Sequence, residues 1–156
     1  MSITIRSEKE CKFIVIEFPF EPIPKQSVRK GLTKLGKQIF YTDPKIKNFE
    51  KNISILTKSQ VIGKKKLTGA IQYDAIYTFP VPKSYPKWVH DAVKIGNKIY
   101  KETKPDLTDN LNKGVIDGCA PIIMKDDAMI AKVRVEKVYG KSGKILIRFK
   151  ELPNVY

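Results

Sequence analysis

Five aspartates between residues 106 and 127 carry the clearest chemical signal in the chain. In Lys104-Pro-Asp-Leu-Thr-Asp-Asn-Leu-Asn-Lys-Gly-Val-Ile-Asp117, Asp109, Lys113 and Asp117 recur every four residues. On a helix they stack on one face, with Asp106 three residues ahead of Asp109 at the helix start. Leu107, Leu111, Val115 and Cys119 fall on the opposite, apolar face. Taken singly, each acid has a structural explanation: Asp106 as an N-cap, Asp109 as a first-turn acid, Lys113 as an i+4 ion-pair partner. Lys125-Asp126-Asp127 then returns two more carboxylates at the mouth of the next strand. Oxygen-only ligands suit Mg²⁺ or Mn²⁺, which take a few carboxylates and complete their shell with water and substrate phosphate. Convergent aspartates beside a lysine point to metal-dependent phosphodiester hydrolysis.

The charge distribution supports a polyanionic substrate. The chain has 156 residues with 30 Lys and Arg against 16 Asp and Glu, a net +14. Lysine supplies 26 of those cations and arginine four. From Pro22 to Gln72, 12 basic residues face only Asp43 and Glu50, whereas Pro105 to Ala128 is net acidic. An acidic cluster in a basic protein repels nucleic acid unless a cation bridges the two. Two cysteines, Cys11 and Cys119, and one histidine, His90, exclude a disulfide scaffold and a Cys/His zinc site. Cys119 and His90 read as packing or surface residues. No apolar run approaches the ~20 residues of a membrane helix, and the first ten residues lack the pattern of a signal peptide.

The elements that must position these residues follow from hydrophobic spacing. Lys12–Phe18 reads as a buried strand, ended by Pro19, Pro22 and Pro24. A long basic connection through Lys37 reads as a flexible loop that orders against phosphate. Thr42-Asp43-Pro44 starts a helix whose Ile46, Phe49, Ile53 and Leu56 face inward. Lys64-Lys65-Lys66 marks a turn before a strand over Thr68–Phe79. Lys87–Glu102 reads as a helix with Trp88, Ala92, Ile95 and Ile99 inward, weakened at Gly96. A third helix is expected over Leu107–Cys119. The C-terminus reads as a hairpin, Met129–Glu136 turning at Gly140–Gly143 into Ile145–Phe149. Strands and helices mix without a βαβ rhythm, so the expected class is α+β: one domain over residues 1–156, a mixed sheet packed with helices.

These residues resemble the RusA-type Holliday-junction resolvases, small endonucleases common in phages and prophages. The resemblance spans most of the chain. It rests on Lys104–Lys113 with Lys125-Asp126-Asp127-Ala128, supported by Pro22-Ile-Pro-Lys25-Gln-Ser-Val-Arg29, Tyr41-Thr-Asp-Pro44 and Tyr139-Gly140. The family pattern, Asp-x-Asp-Asn followed by a lysine and a third acid, implies Asp109 as the second acid, Lys113 as the lysine and Asp127 as the third acid. Asp106 stands for the first acid, with Thr108 lengthening the spacing by one residue. Asp126 ranks below Asp127, and Asp117 reads equally as a helix-surface residue. The resemblance implies a homodimer that resolves four-way DNA junctions by paired symmetric cuts in recombination and repair. It implies Mg²⁺ as cofactor, with Mn²⁺ as a substitute, held by Asp106, Asp109 and Asp127, and a location in the cytoplasm of a bacterial host. Lys25, Arg29, Lys30, Lys64, Lys65 and Lys66 are the expected phosphate contacts. Two other readings stay open: a non-catalytic branched-DNA-binding module whose acids are only caps, and a flap or branched-DNA nuclease without four-way preference.

Overall fold

The computed structural model describes residues 12–25 and 29–153. The expectations placed on the first ten residues, on Cys11 and on Gln26-Ser27-Val28 lie outside the described residues. Strand β1 (Phe13–Phe18) alternates exposed and buried side chains, so Ile14, Ile16 and Phe18 enter the core while Phe13, Val15 and Glu17 point away. β4 (Ile71–Pro80) is the central strand, pairing in parallel with β5 (Ile130–Gly140) and antiparallel with β6 (Lys144–Glu151). β1 closes the other side, giving the order β1-β6-β4-β5. The expected C-terminal hairpin is therefore absent as such. β5 and β6 are joined by a tight turn, but β4 lies between them. The connection crosses over the end of β4, where Val81 donates to the Gly140 carbonyl at 3.3 Å.

Helix α1 (Pro44–Gln60) begins as its sequence requires, Asp43 accepting from the Lys45 N–H at 2.9 Å ahead of Pro44. α3 (Asn112–Ile123) packs against it over one face of the sheet. Phe49 and Ile53 of α1 and Val115 and Cys119 of α3 meet the inward residues of β1, β4 and β6. The helices approach closely because residue 118 is glycine: a Cβ there would lie 2.6 Å from Ile53 Cγ2. Cys119 is a buried core thiol, its pKa pushed up by burial. At one end of the sheet's other face, Val93 and Asn97 share a hollow with Thr78 and Val138.

Two expectations for connecting segments change. The basic connection is ordered as a two-stranded ribbon, β2 (Arg29–Leu32) with β3 (Gln38–Tyr41). Its turn is fixed by Gly36 at φ +78° and by Thr33 Oγ1 accepting from the Lys37 N–H. Helix α2 (Lys87–Lys94) stops short of Glu102, because the chain reverses at Gly96 with φ +86°. Val89 is its buried side chain, whereas Trp88 and Ile95 are 64% and 77% exposed. Past the reversal, residues 99–101 run along the edge of β5, with a bridge between Tyr100 and Val138. No helix of the described residues is long and apolar enough to cross a membrane.

Candidate active site

The segment that carries Asp106 is tied down before the helix begins. Lys101 N–H donates to the Lys137 carbonyl at 3.0 Å, and Lys101 Nζ donates to Thr103 Oγ1 at 2.7 Å. Lys137 Nζ reaches back from β5 to the carbonyls of Thr103 and Pro105, at 2.5 and 2.8 Å. Asp106 follows in extended conformation, its Oδ2 2.9 Å from the exposed Lys104 Nζ. It makes no side-chain cap bond, so the N-cap explanation for Asp106 does not hold.

Leu107–Leu111 forms a π-turn that runs directly into α3. Asp106 O accepts from the N–H groups of both Asn110 and Leu111, each at 3.4 Å. A π-turn holds one residue more than an α-turn, and Thr108, which sets the Asp106–Asp109 spacing, lies within it. Asp109 and Lys113 are exposed, and among the described residues neither has an ion-pair partner. The opposite face is anchored. Leu111 is buried, and Asn112 Oδ1 accepts from Tyr77 Oη at 2.7 Å, with Tyr73 Oη 2.8 Å from Tyr77 Oη. Burial pushes both phenols up, so these hydroxyls stay protonated and hold the head of α3 onto β4.

The acidic stripe continues down α3 to Asp117, about 12 Å from Asp109 at 1.5 Å per residue. There its character changes. Lys25 Nζ donates to Asp117 Oδ2 at 2.6 Å and lies 2.7 Å from Glu50 Oε1 on α1. Burial would lower the Lys25 pKa, but the hydrogen bonds to Asp117 and Glu50 outweigh it and the value is raised. Asp127 opens the 3₁₀ turn Asp127–Met129 and shares a hollow of about 240 Å³ with Asp117, Ala120, Pro121, Lys125 and Asp126. Asp126 caps that turn, accepting from the Ala128 N–H at 2.8 Å. That bond, first, and a hydrogen bond with Asp127 hold the Asp126 carboxyl below its ordinary pKa.

The structure thus brings Asp106, Asp109 and Lys113 to the head of one helix and leaves Asp127 toward its far end. Among the described residues, no group of three or more His, Cys, Asp or Glu is gathered to hold an ion. Two carboxylates with a substrate phosphate nevertheless suit Mg²⁺, which keeps several waters and needs no all-protein cage. Asp106, held to Lys104 at 2.9 Å, and the exposed Asp109 are the two carboxylates at this helix head that could meet that demand. Of the expected phosphate contacts, Lys30, Lys64, Lys65 and Lys66 are exposed, and Arg29 lies 3.7 Å from Asp43 with its side chain 54% exposed. Lys25 alone is turned inward. Spacing gives Glu50 no role, although it and Asp43 are the only acids in the basic stretch, and the structure pairs both.

An α+β domain with exposed carboxylates and an unpaired lysine at a helix head, in a chain of +14, is suited to chemistry on a polyanion. Residues 19–150 match the model of the family described as Endodeoxyribonuclease RusA, and the chain belongs to that family. The resemblance carried by the aspartate motif is borne out over most of the length. The chain is also 28% identical over 130 residues to "Uncharacterized protein YqaN" of Bacillus subtilis (strain 168), covering 83% of this chain and 87% of that protein.

Proposed function

We propose that the protein is a Mg²⁺-dependent endonuclease that resolves four-way DNA junctions by paired symmetric cuts, working as a homodimer. The observation that carries this reading is the exposed Asp109 and Lys113 beside Asp106 at the anchored head of α3, in a member of an endodeoxyribonuclease family. Asp106 and Asp109 would hold the ion, with Asp127 apart from them toward the far end of the helix. When bound, the ion would activate a water and offset charge on the scissile phosphate. Lys113 adds a fixed positive charge on the same helix face, able to steady that phosphate. The segment 101–105, braced by Lys101 and Lys137, keeps Asp106 in place while DNA binds. Arg29, Lys30 and Lys64–Lys66 supply the sequence-independent grip on phosphates.

Two opposed strands must be cut in a junction, and a two-fold dimer presents two matching sites. Support for self-association comes from the open sheet face. There Phe13, Val15 and Leu146 are 61%, 46% and 38% exposed, and several of the charges beside them are paired within the chain. Asp74 accepts from Arg148 Nε at 2.9 Å and lies 3.3 Å from Arg134 Nε, while Lys98 Nζ donates to Glu136 at 2.7 Å. A partly apolar face whose arginines are matched by a carboxylate is where two +14 chains can meet with less repulsion than at the lysine-rich loops.

The test is incubation of the purified protein with four-way junction, flap and linear duplex, with Mg²⁺ or with EDTA. Paired nicks in the junction alone, and only with Mg²⁺, are expected. Binding without cleavage would favour a non-catalytic module, and equal cutting of flap and junction a less selective nuclease.

A further inference from the structure

Charge and position in sequence assign Lys25 to DNA, yet its ammonium sits inside a carboxylate pair. Its side chain is 25% exposed, and those of Glu50 and Asp117 are 27% and 34% exposed. The residue touches three elements at once. Its backbone N–H donates to the Asn110 carbonyl of the π-turn at 3.0 Å. Its ammonium meets Glu50 of α1 and Asp117 of α3, at 2.7 and 2.6 Å. The segment lies against Gly114, where a Cβ would stand 3.7 Å from both the Ile23 carbonyl oxygen and Lys25 Cβ, an ordinary packing contact. Residues 22–25 are thus laid as a strap across the start of α3, pinned at the π-turn by main chain and at α1 and α3 by charge.

We propose that Lys25 is a positioning residue: a built-in counter-cation for Glu50 and Asp117 that holds this strap against the π-turn carrying Asp109, and that makes no contact with DNA phosphate. The inference rests on the functional reading only for what Asp109 does. Of the three donors of the ammonium, one bonds Asp117, and Glu50 lies within ion-pair distance at 2.7 Å. Turning it outward to a phosphate would leave Glu50 and Asp117 facing one another without a cation, a repulsive arrangement in a half-buried site. The chain has no need of this one lysine for polyanion affinity, since Lys30 and Lys64–Lys66 are exposed.

The experiment compares wild type with Lys25→Met and with the triple variant Lys25→Met/Glu50→Gln/Asp117→Asn. Thermal melting, linear-duplex binding across a salt series, and junction cleavage are measured on each. Lys25→Met is expected to melt lower, and the triple variant to recover most of the loss, because neutral amides need no counter-cation. The log–log salt slope of Lys25→Met should equal that of wild type. Cleavage by Lys25→Met should fall through kcat with KM unchanged, by up to about 100-fold if Asp109 is displaced by an ångström. A slope shallower by about 0.9 would make Lys25 a phosphate contact and overturn the proposal. So would a triple variant melting no higher than Lys25→Met. If wild type cuts no DNA, the functional proposal fails, while melting and salt slope still decide the role of Lys25.

Discussion

Asp109 and Asp117 lie two helical turns apart on one face of the same helix and have opposite surroundings. Asp117 is held by Lys25, which Glu50 shares. Asp109 is exposed, with no ion-pair partner among the described residues, although the chain carries 26 lysines. Asp74, on the open sheet face, resembles Asp117: Gln72, Arg148 and Arg134 surround it. A protein rich in cations has neutralised the carboxylates that hold elements together and left Asp109 free at the head of α3, where Asp106 meets only the exposed Lys104. The difference teaches where a cation from outside is wanted. Two of the four arginines serve Asp74, where a planar fork holds a carboxylate better than an ammonium does.

The contrast breaks most sharply at the unpaired lysine. Lys113→Met removes the one fixed cation on the free end of the stripe, and cleavage should fall about 10²–10³-fold with melting unchanged. Retained cleavage, measured on a four-way junction under single turnover, would move the phosphate-facing charge elsewhere.

A stability effect comes next. Burial alone would raise the Asp74 pKa, but hydrogen bonds from Gln72 and Arg148, with the charges of Arg148 and Arg134, outweigh it and leave the value lowered. A depressed carboxyl stabilises the fold above its unfolded pKa of about 3.9 and loses that contribution as pH falls through the lower folded value. Asp74→Asn should therefore cost about 1–3 kcal/mol at neutral pH, by leaving two arginines underpaired. It should also flatten the acid limb of the stability–pH curve below about pH 4. Denaturant melts across the acid-to-neutral range check both, and an unchanged acid limb would place the acid-sensitive carboxylate elsewhere.

The exposed cations sharpen the comparison by affinity. Lys64→Ala/Lys65→Ala/Lys66→Ala should weaken junction and duplex binding alike, the salt slope becoming shallower by about 0.9 for each phosphate left without its lysine. Equal slopes would leave these lysines as a solvated turn. The smallest effect is expected at Thr108. Its deletion should convert the π-turn to an α-turn with melting close to wild type, because the extra residue lies within that turn. Circular dichroism melts test it, and a collapse in stability would show that the wide turn itself is required.

Much of this fold is legible in the residues. The cap at Asp43, the inward face of α1 and the polar and apolar faces of α3 follow from side-chain spacing, and the structure repeats them. The aspartate motif carries the family. What spacing does not encode is which strands become neighbours. The alternation in β5 and the turn at Gly140–Gly143 fit a hairpin, but β4, buried along nearly its whole length, takes the central place between the two. Periodicity likewise turns Trp88 and Ile95 inward, whereas Val89 is the buried side chain of an α2 that ends before the Gly96 reversal. The carboxylates show the same limit. A run of helix from Asp109 to Ile123 moves the chain about 20 Å at 1.5 Å per residue. The next strand therefore starts near Asp117 instead of returning to Asp106. Lys25 reads as a DNA contact by its charge and its neighbours in sequence, and only the packing of α1 against α3 reveals that its partners are Glu50 and Asp117.

The most direct test of the division between free and neutralised carboxylates compares Asp109→Asn with Asp117→Asn on one four-way junction in Mg²⁺. Each variant is assayed for binding, cleavage and melting temperature. Asp109→Asn should bind the junction as tightly as wild type or tighter, melt normally and lose at least about 100-fold in cleavage. Asp117→Asn should melt lower and keep cleavage within about tenfold of wild type, roughly 1.4 kcal/mol in the barrier. The reverse pattern, with Asp117→Asn inactive at normal stability and Asp109→Asn active, would contradict the account and place the reacting centre at the Lys25 end of the helix.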